Sequence, residues 1–167
     1  MFYQFILIDK NVKGDLWMST TREYKKLEEI TVEDLMIPSE KVAHVMLNNP
    51  LEHALLVLTR SGYFAVPVLD PENKLVGTIS KTVILDQILG IEGYEVEKLS
   101  HLLVSDVMEK DVPSITKTAS FIDGLKSVID EPFVSVVDEE GYFEGILTRR
   151  AILKQVKREY YQNQYRG

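Results

Sequence analysis

Two adjacent arginines stand in the run Thr148-Arg149-Arg150, where an apolar, strand-like stretch gives way to a helical pattern. Two cations at the start of a helix are unfavourable, because the positive end of the helix dipole lies there. Guanidinium groups are well shaped for paired hydrogen bonds to phosphate oxygens, and a hydroxyl beside the free N–H groups of a helix start favours an anion as well. The run is therefore a candidate phosphate-binding site. The alternative is a solvated pair of arginines with Glu144 or Glu140 as partners.

The overall charge limits the kinds of partner that fit the chain. The formal net charge is −7, which argues against a non-specific nucleic-acid binder and means that an anionic ligand needs a local basic pocket. No apolar run approaches the roughly 20 residues of a membrane span, and the apolar start Phe2–Ile8 lacks the flanks of a signal peptide. We therefore expect a cytoplasmic protein with neither nucleic acid nor membrane as a partner.

Residues for catalysis or metal binding are sparse. The chain has no cysteine, which excludes disulfides, thiol catalysis and cysteine-based zinc sites. His44, His53 and His101 have neither a carboxylate nor a second histidine at metal-ligand spacing. Neither a Ser-His-Asp arrangement nor a carboxylate pair stands out, so we expect no metal site, no cofactor, no catalytic residues and no enzymatic activity.

The elements that must position the arginines form an internal repeat. Three pairs of positions mark it: Met36 and Met108, Ala54 and Gly124, Gly77 and Gly145. Their separations are 72, 70 and 68 residues, a drift that small insertions in surface loops explain. A period near 70 residues is too long for a solenoid and indicates two copies of one compact unit.

Each copy is expected to contain a helix, a strand, a helix, two strands and a helix. In the first copy these are Thr31–Met36, Val42–Met46, Leu51–Arg60, Phe64–Leu69, Leu75–Ser80 and Lys81–Leu89. In the second they are Leu103–Met108, Pro113–Ile115, Phe121–Ile129, Phe133–Val137, Phe143–Thr148 and Arg149–Tyr160. Thr31 and Ser105 are the expected caps of the two opening helices. The expected buried faces of the longer helices are Leu51, Ala54, Leu55 and Leu58 in one copy, and Phe121, Leu125, Val128 and Ile129 in the other.

This element order, found twice, resembles a CBS pair, also called a Bateman module. The runs Gly77-Thr78-Ile79-Ser80 and Gly145-Ile146-Leu147-Thr148 carry the resemblance, which covers roughly residues 30–155. It implies an α/β (α+β) fold of two tandem CBS repeats, each a small sheet with packed helices. The expected boundaries are an N-terminal extension and helix at 1–29, repeats at 30–90 and 103–155, a linker at 91–102, and a C-terminal helix and tail at 156–167. Residues 1–17 are either a natural arm or a segment upstream of a start at Met18.

The resemblance also implies a class of ligand, because CBS pairs bind adenine-containing molecules in clefts between their two sheets. Small or apolar residues, here Ala43, Ala65 and Val66, would give the ring a dry slot. Family members that bind linear adenine nucleotides usually have an aspartate three residues after the last hydroxyl, where it holds the ribose diol. Here Val83 and Ala151 stand in those places. A 3′,5′-cyclic dinucleotide has no free ribose diol, so the missing aspartate costs it little binding free energy. The alternative is that one or both sites have degenerated.

The segments Lys41–Val45, Leu51–Thr59, Gly62-Tyr63 and Phe143–Arg150 resemble the stand-alone CBS-pair receptors for cyclic di-AMP of Gram-positive bacteria. By that resemblance the ligand set is Lys41, Ala43, Tyr63, Phe64, Ala65, Thr148, Arg149 and Arg150. Tyr63 would stack on an adenine, whereas Phe64 could instead belong to the core.

The same resemblance implies a homodimer that senses the nucleotide and controls a partner enzyme, such as an alarmone synthetase or pyruvate carboxylase. The alternatives are a pair that binds AMP, ATP or another adenosyl ligand, and a ligand-free scaffold for dimerisation or interaction.

Overall fold

A computed structural model describes residues 26–90 and 93–164 of the chain. Most of the expected N-terminal extension, through residue 25, lies outside this part, as do residues 91 and 92 of the linker and the last three residues. Among the described residues, no helix combines the length and the apolar character that crossing a bilayer requires.

The described residues form six α-helices and three single turns of 3-10 helix. The α-helices are α1 (Leu51–Ser61), α2 (Lys81–Ile88), α3 (Lys98–His101), α4 (Val104–Val107), α5 (Phe121–Ser127) and α6 (Arg149–Gln164). The 3-10 turns are Leu27–Glu29, Val32–Asp34 and Ser39–Lys41.

The strands of the described chain form two sheets and a short hairpin. One sheet has the order β2 (Val45–Met46), β3 (Ala65–Leu69), β4 (Leu75–Ser80). The other has the order β1 (Ile37–Pro38), β9 (Phe143–Thr148), β8 (Phe133–Val137), β7 (Ser114–Ile115). The hairpin pairs β5 (Leu89–Gly90), at the end of the expected first repeat, with β6 (Gly93–Tyr94) in the expected linker. In the first sheet, β2 runs parallel to β3, and β3 forms an antiparallel hairpin with β4. In the second sheet, β7 runs parallel to β8, and β8 forms an antiparallel hairpin with β9.

The two hairpins that close the copies share one type of turn. In the first, the Asp70 carboxylate accepts hydrogen bonds of 2.9 Å from the N–H groups of Glu72 and Lys74. In the second, the Asp138 carboxylate accepts bonds of 2.9 Å from Glu140 and Tyr142. An aspartate that binds its own backbone two residues on is a strong local turn signal, so the same turn forms at both places. This equivalence supports two copies of one unit, as the repeat predicts.

The opening segment of each copy packs into the core of the other copy. Ile30 and Val32 are buried in the core of the second copy, and Val32 N–H donates to the Ala119 carbonyl over 3.0 Å. In the reverse direction, Val104 is buried in the core of the first copy, and its N–H donates to the Asn49 carbonyl over 2.9 Å. The exchange fixes the position of one copy relative to the other.

The two repeated glycines lie where the exchanged segments cross the sheets. A Cβ on Gly77 would collide with the carbonyl oxygen of Glu109, and one on Gly145 would collide with that of Ile37. Gly145 also has a φ of 155°, which disfavours a side chain. Close approach of two backbones therefore explains the glycine of each Gly-x-x-Ser/Thr run.

Several expected element bounds differ from the structure. The opening helix expected at Thr31–Met36 is only the 3-10 turn Val32–Asp34, and the last helix, expected to end at Tyr160, continues through Gln164. The strand expected at Val42–Met46 is only β2, because Val42 closes a 3-10 turn by donating its N–H to the Ser39 carbonyl over 3.0 Å. The Ser105 cap is wrong, since α4 is preceded by Leu103. The N–H of Leu103 donates to the Asp106 carboxylate over 2.9 Å.

Two expected side-chain environments are also wrong. Ile129 is 61% exposed, because α5 ends at Ser127 and the helical spacing no longer holds beyond it. Val66 is fully buried in the core of the first copy, because it points to the opposite face of β3 from Ala65 and Pro67. The predicted buried face of α1 is confirmed: Leu51, Ala54 and Leu58 are fully buried, and Leu55 is half-buried.

Candidate functional site

The end of β9 and the start of α6 hold the two arginines in place. Thr148 is 5% exposed, and its hydroxyl accepts a hydrogen bond of 3.1 Å from the Ala151 N–H. The Arg149 N–H donates to the Pro132 carbonyl over 3.0 Å, and its side-chain Nε donates to the Val128 carbonyl over 2.8 Å. The capping hydroxyl and these two bonds fix where the helix begins and therefore where both side chains emerge.

The first copy repeats this junction with different charges. The Ser80 hydroxyl accepts from the Val83 N–H over 3.2 Å, and the Lys81 N–H donates to the Phe64 carbonyl over 3.0 Å. Lys81 is therefore the counterpart of Arg149. Val83 stands at the position where a carboxylate would hold a ribose diol, and an apolar side chain there cannot accept a hydrogen bond.

A cavity of about 620 Å³ lies between the two copies, within the range of about 300–1,000 Å³ typical of small-molecule sites. The first copy contributes Val42, Ala43, Gly62, Tyr63, Phe64, Ala65, Pro67 and Lys81 to its lining. The second contributes Pro132, Phe133, Ile146, Thr148, Arg149, Arg150, Leu153, Lys154 and Lys157. Both copies therefore shape one site.

Seven of the eight residues in the expected ligand set line this cavity; the eighth, Lys41, does not. Lys41 is exposed at the end of a 3-10 turn, directly before Val42, which does line the cavity. Phe64 is 39% exposed and lies in the lining, so it is not a core residue. Ala43, Tyr63 and Ala65 are half-buried and form an apolar wall.

The floor of the cavity is the cluster where the two sheets meet. Its buried members are Val42, Leu69, Phe143 and Ile146, with Phe133 packed against them. Because Val42, Phe133 and Ile146 belong both to this cluster and to the cavity lining, the site has an apolar base.

The charges in the cavity lining are of one sign. Lys81, Arg149, Arg150, Lys154 and Lys157 carry five positive charges, and none of the described residues that line the cavity is acidic. Although the chain has a net charge of −7, these five cations lie together at one cavity.

The acidic residues expected as alternative partners of the arginines lie elsewhere. The Glu144 carboxylate accepts a hydrogen bond from the Lys117 ammonium, and this bond together with the carboxylate charge raises the pKa of Lys117. Glu140 lies in the turn after β8, anchored by Asp138. In the described part of the chain, no three or more histidine or acidic side chains are placed to hold a metal ion.

Three cations of the site were not among the predicted residues, although the sequence contains signals for them. Lys81 follows Ser80 as Arg149 follows Thr148, so the repeat itself points to it. Lys154 and Lys157 lie four and seven residues after Arg150, which places all three on one face of a helix.

Comparisons with known proteins agree with this architecture. The family model described as CBS domain matches residues 32–90 and 104–158. Cyclic di-AMP receptor B of Bacillus subtilis (strain 168) is 46% identical over 133 residues, which cover 80% of this chain and 90% of that protein.

Two solved structures are also similar. A CBS domain-containing protein of unknown function from Bacillus anthracis str. Ames Ancestor is 56% identical, with a TM-score of 0.76, covering 80% of this chain and 96% of that one. The CbpB protein of Listeria monocytogenes in complex with c-di-AMP is 51% identical, with a TM-score of 0.73, covering 78% and 98%. The segments that match the family model span more than half of the chain and follow the two structural copies, so the chain belongs to the CBS domain family and carries a tandem CBS pair.

Proposed function

We propose that this protein is a nucleotide receptor that binds cyclic di-AMP in the cavity between its two CBS domains. The observation that carries the proposal is a single cavity with an apolar wall and base and five cationic lining residues. Two similar proteins are described as a cyclic di-AMP receptor and as a complex with c-di-AMP, which supports the same ligand here.

The cavity residues divide into two roles. Arg149, Arg150 and Lys81 bind the two phosphates, because guanidinium and ammonium groups form charge-assisted hydrogen bonds with phosphate oxygens. Ala43 and Tyr63 bind one adenine, the first as a flat surface and the second by stacking, which contributes about 1–3 kcal/mol per base. Phe64, Ala65 and Thr148 complete the site, and Lys41 adds a cation at its edge.

The symmetry of the cavity favours a cyclic dinucleotide over a linear nucleotide. Cyclic di-AMP consists of two identical halves, each with one adenine and one phosphate. Several lining residues are counterparts in the two copies: Phe64 and Pro132, Ala65 and Phe133, Lys81 and Arg149. A mononucleotide would occupy only half of such a site and would find no carboxylate at Val83 or Ala151 for its ribose diol.

We further propose that the protein acts in the cytoplasm as a regulatory homodimer rather than as an enzyme. Leu85 and Leu153 occupy equivalent positions on α2 and α6 and are 43% and 58% exposed. Exposed leucines at matching positions favour a second copy as their cover. Family resemblance suggests an alarmone synthetase or pyruvate carboxylase as the regulated partner. Cyclic di-AMP can control that partner only by binding its free and bound forms with different affinity.

Isothermal titration calorimetry of the full chain with cyclic di-AMP, AMP and ATP tests the ligand. The proposal expects saturable binding of cyclic di-AMP that is at least tenfold tighter than that of either linear nucleotide. Binding of AMP or ATP alone would instead identify a linear-nucleotide sensor, which was the first alternative. Binding of none of the three would support a ligand-free scaffold, which the missing carboxylates at positions 83 and 151 favour.

A further inference from the structure

The last helix, α6, is twice as long as its counterpart in the first copy. α2 spans Lys81–Ile88, which is 8 residues, whereas α6 spans Arg149–Gln164, which is 16 residues. The last residue of α6 in the cavity lining is Lys157, so the second half of the helix continues past the cavity. Neither the repeat nor the ligand site therefore accounts for the surface of this second half.

The outward face of α6 carries a row of cations. Arg150, Lys154 and Lys157 are separated by four and three residues, so they lie on one face of the helix, and Arg158 lies beside them. All four residues are exposed, and we call them the cationic row. The whole of α6 contains five cations and one acidic residue, so the helix is strongly basic in an acidic chain.

Large apolar side chains are exposed beside the cationic row. Val156, Tyr160 and Tyr161 are 39%, 61% and 49% exposed. The rings of Tyr160 and Tyr161 contact edge to face with their centroids 5.7 Å apart, and Lys157 Nζ lies 5.8 Å from the Tyr161 centroid. The cationic row and these three residues therefore form one continuous surface, the α6 surface. Exposed apolar groups bordered by charges are typical of interaction sites.

Charge decides the kind of partner that the α6 surface fits. Cyclic di-AMP carries two negative charges, fewer than the five cations that line the cavity, so positive charge on α6 remains uncompensated when it binds. An acidic protein segment supplies carboxylates for the cationic row and apolar side chains for the tyrosines. A bilayer or a nucleic acid is disfavoured, because it presents an extended anionic surface to a chain of net charge −7. A short segment contacts α6 alone.

We propose that the α6 surface docks an acidic segment of a partner protein when the cavity is empty. Arg150, Lys154 and Lys157 also line the cavity, so the dinucleotide and the segment compete for the same cations. This competition rests on the proposed function, because it takes cyclic di-AMP to be the ligand of the cavity. It gives the nucleotide a physical means of controlling the partner, since binding of one disfavours binding of the other.

Fluorescence anisotropy of the full chain with a labelled peptide of glutamate and leucine tests the docking. The matched probe is the same peptide with glutamine in place of glutamate. Wild type is expected to bind the acidic peptide about tenfold more tightly than the glutamine peptide, and saturating cyclic di-AMP is expected to displace it. Arg158→Gln/Tyr160→Ala changes two exposed residues outside the cavity lining. It should weaken peptide binding about tenfold, because it removes an ion pair and an apolar contact, and leave the affinity for cyclic di-AMP within about threefold of wild type.

Lys126→Gln is the matched control, because it removes an exposed cation from α5, outside the cavity lining, and its affinity for the peptide should equal that of wild type. Equal binding of the two peptides, equal losses in the control and the double variant, or no displacement by bound cyclic di-AMP would overturn the inference. So would tighter binding to phosphatidylglycerol vesicles than to the acidic peptide. If wild type fails to bind cyclic di-AMP, the proposed function is wrong, whereas peptide binding that only the double variant weakens would still support docking at α6.

Discussion

Replacing Arg150 by methionine removes one cation from the cavity and keeps most of the apolar stem. Hydrogen bonds to charged groups contribute about 1.5–3 kcal/mol each, and a guanidinium on a phosphate lies at the upper end of this range. Arg149 cannot fully take over, because its Nε is bonded to the Val128 carbonyl. We therefore expect a loss of about 3 kcal/mol, which corresponds to about a hundredfold weaker binding of cyclic di-AMP. The side chain is exposed at the start of α6, so the fold should be unaffected.

Titration calorimetry at constant ionic strength measures this effect, with circular dichroism melting as the check on folding. Arg158→Met is the matched control, since it removes the same charge from an exposed position of the same helix that does not line the cavity. Its affinity should fall less than threefold. Equal losses in the two variants would show that only the overall charge matters, and wild-type affinity in Arg150→Met would refute the assignment of this arginine to the phosphates.

Two further pairs of variants test the base contact and the fold. Tyr63→Ala should weaken cyclic di-AMP binding by about tenfold or more in the same calorimetric assay, because it removes a base stack, while Tyr63→Phe should retain wild-type affinity; equal losses in both would contradict stacking. Gly145→Ala should lower the free energy of unfolding by about 3 kcal/mol or more in urea melts, because its Cβ would collide with the Ile37 carbonyl oxygen. Gly141 also has a positive φ, but a Cβ added there has no neighbour within 4 Å, so Gly141→Ala should lower the free energy of unfolding by only about 1 kcal/mol. Equal losses in the two alanine variants would show that the collision is not the cause.

Local patterns predicted the hairpins and the start of α6 well. β4, β8 and β9 have the bounds expected from the sequence, because short apolar strands depend on neighbours close in sequence. The exchange of the opening segments was not predicted. Ile30 packs against residues about 90 positions later, such as Phe121, and no local pattern records such a pairing.

In the candidate site, too, the residues that were predicted are those whose neighbours in the sequence are informative. The adjacent arginines stood out, as did the small residues that resemble a known ligand set. Lys154 and Lys157 were not predicted, because they are neighbours of Arg150 only on the face of a helix and not in the sequence. Lys41 remains a prediction, since its side chain lies outside the cavity lining and can approach only a ligand that extends beyond it.

A crystal structure of the protein with cyclic di-AMP is the most direct measurement of whether the two copies share one ligand. We expect electron density in the cavity, with Arg150 and Lys81 each within 3.2 Å of a phosphate oxygen, about the limit of an N–H···O bond, and one adenine against Tyr63. Density for the dinucleotide at another surface, with these cations turned toward solvent, would contradict it.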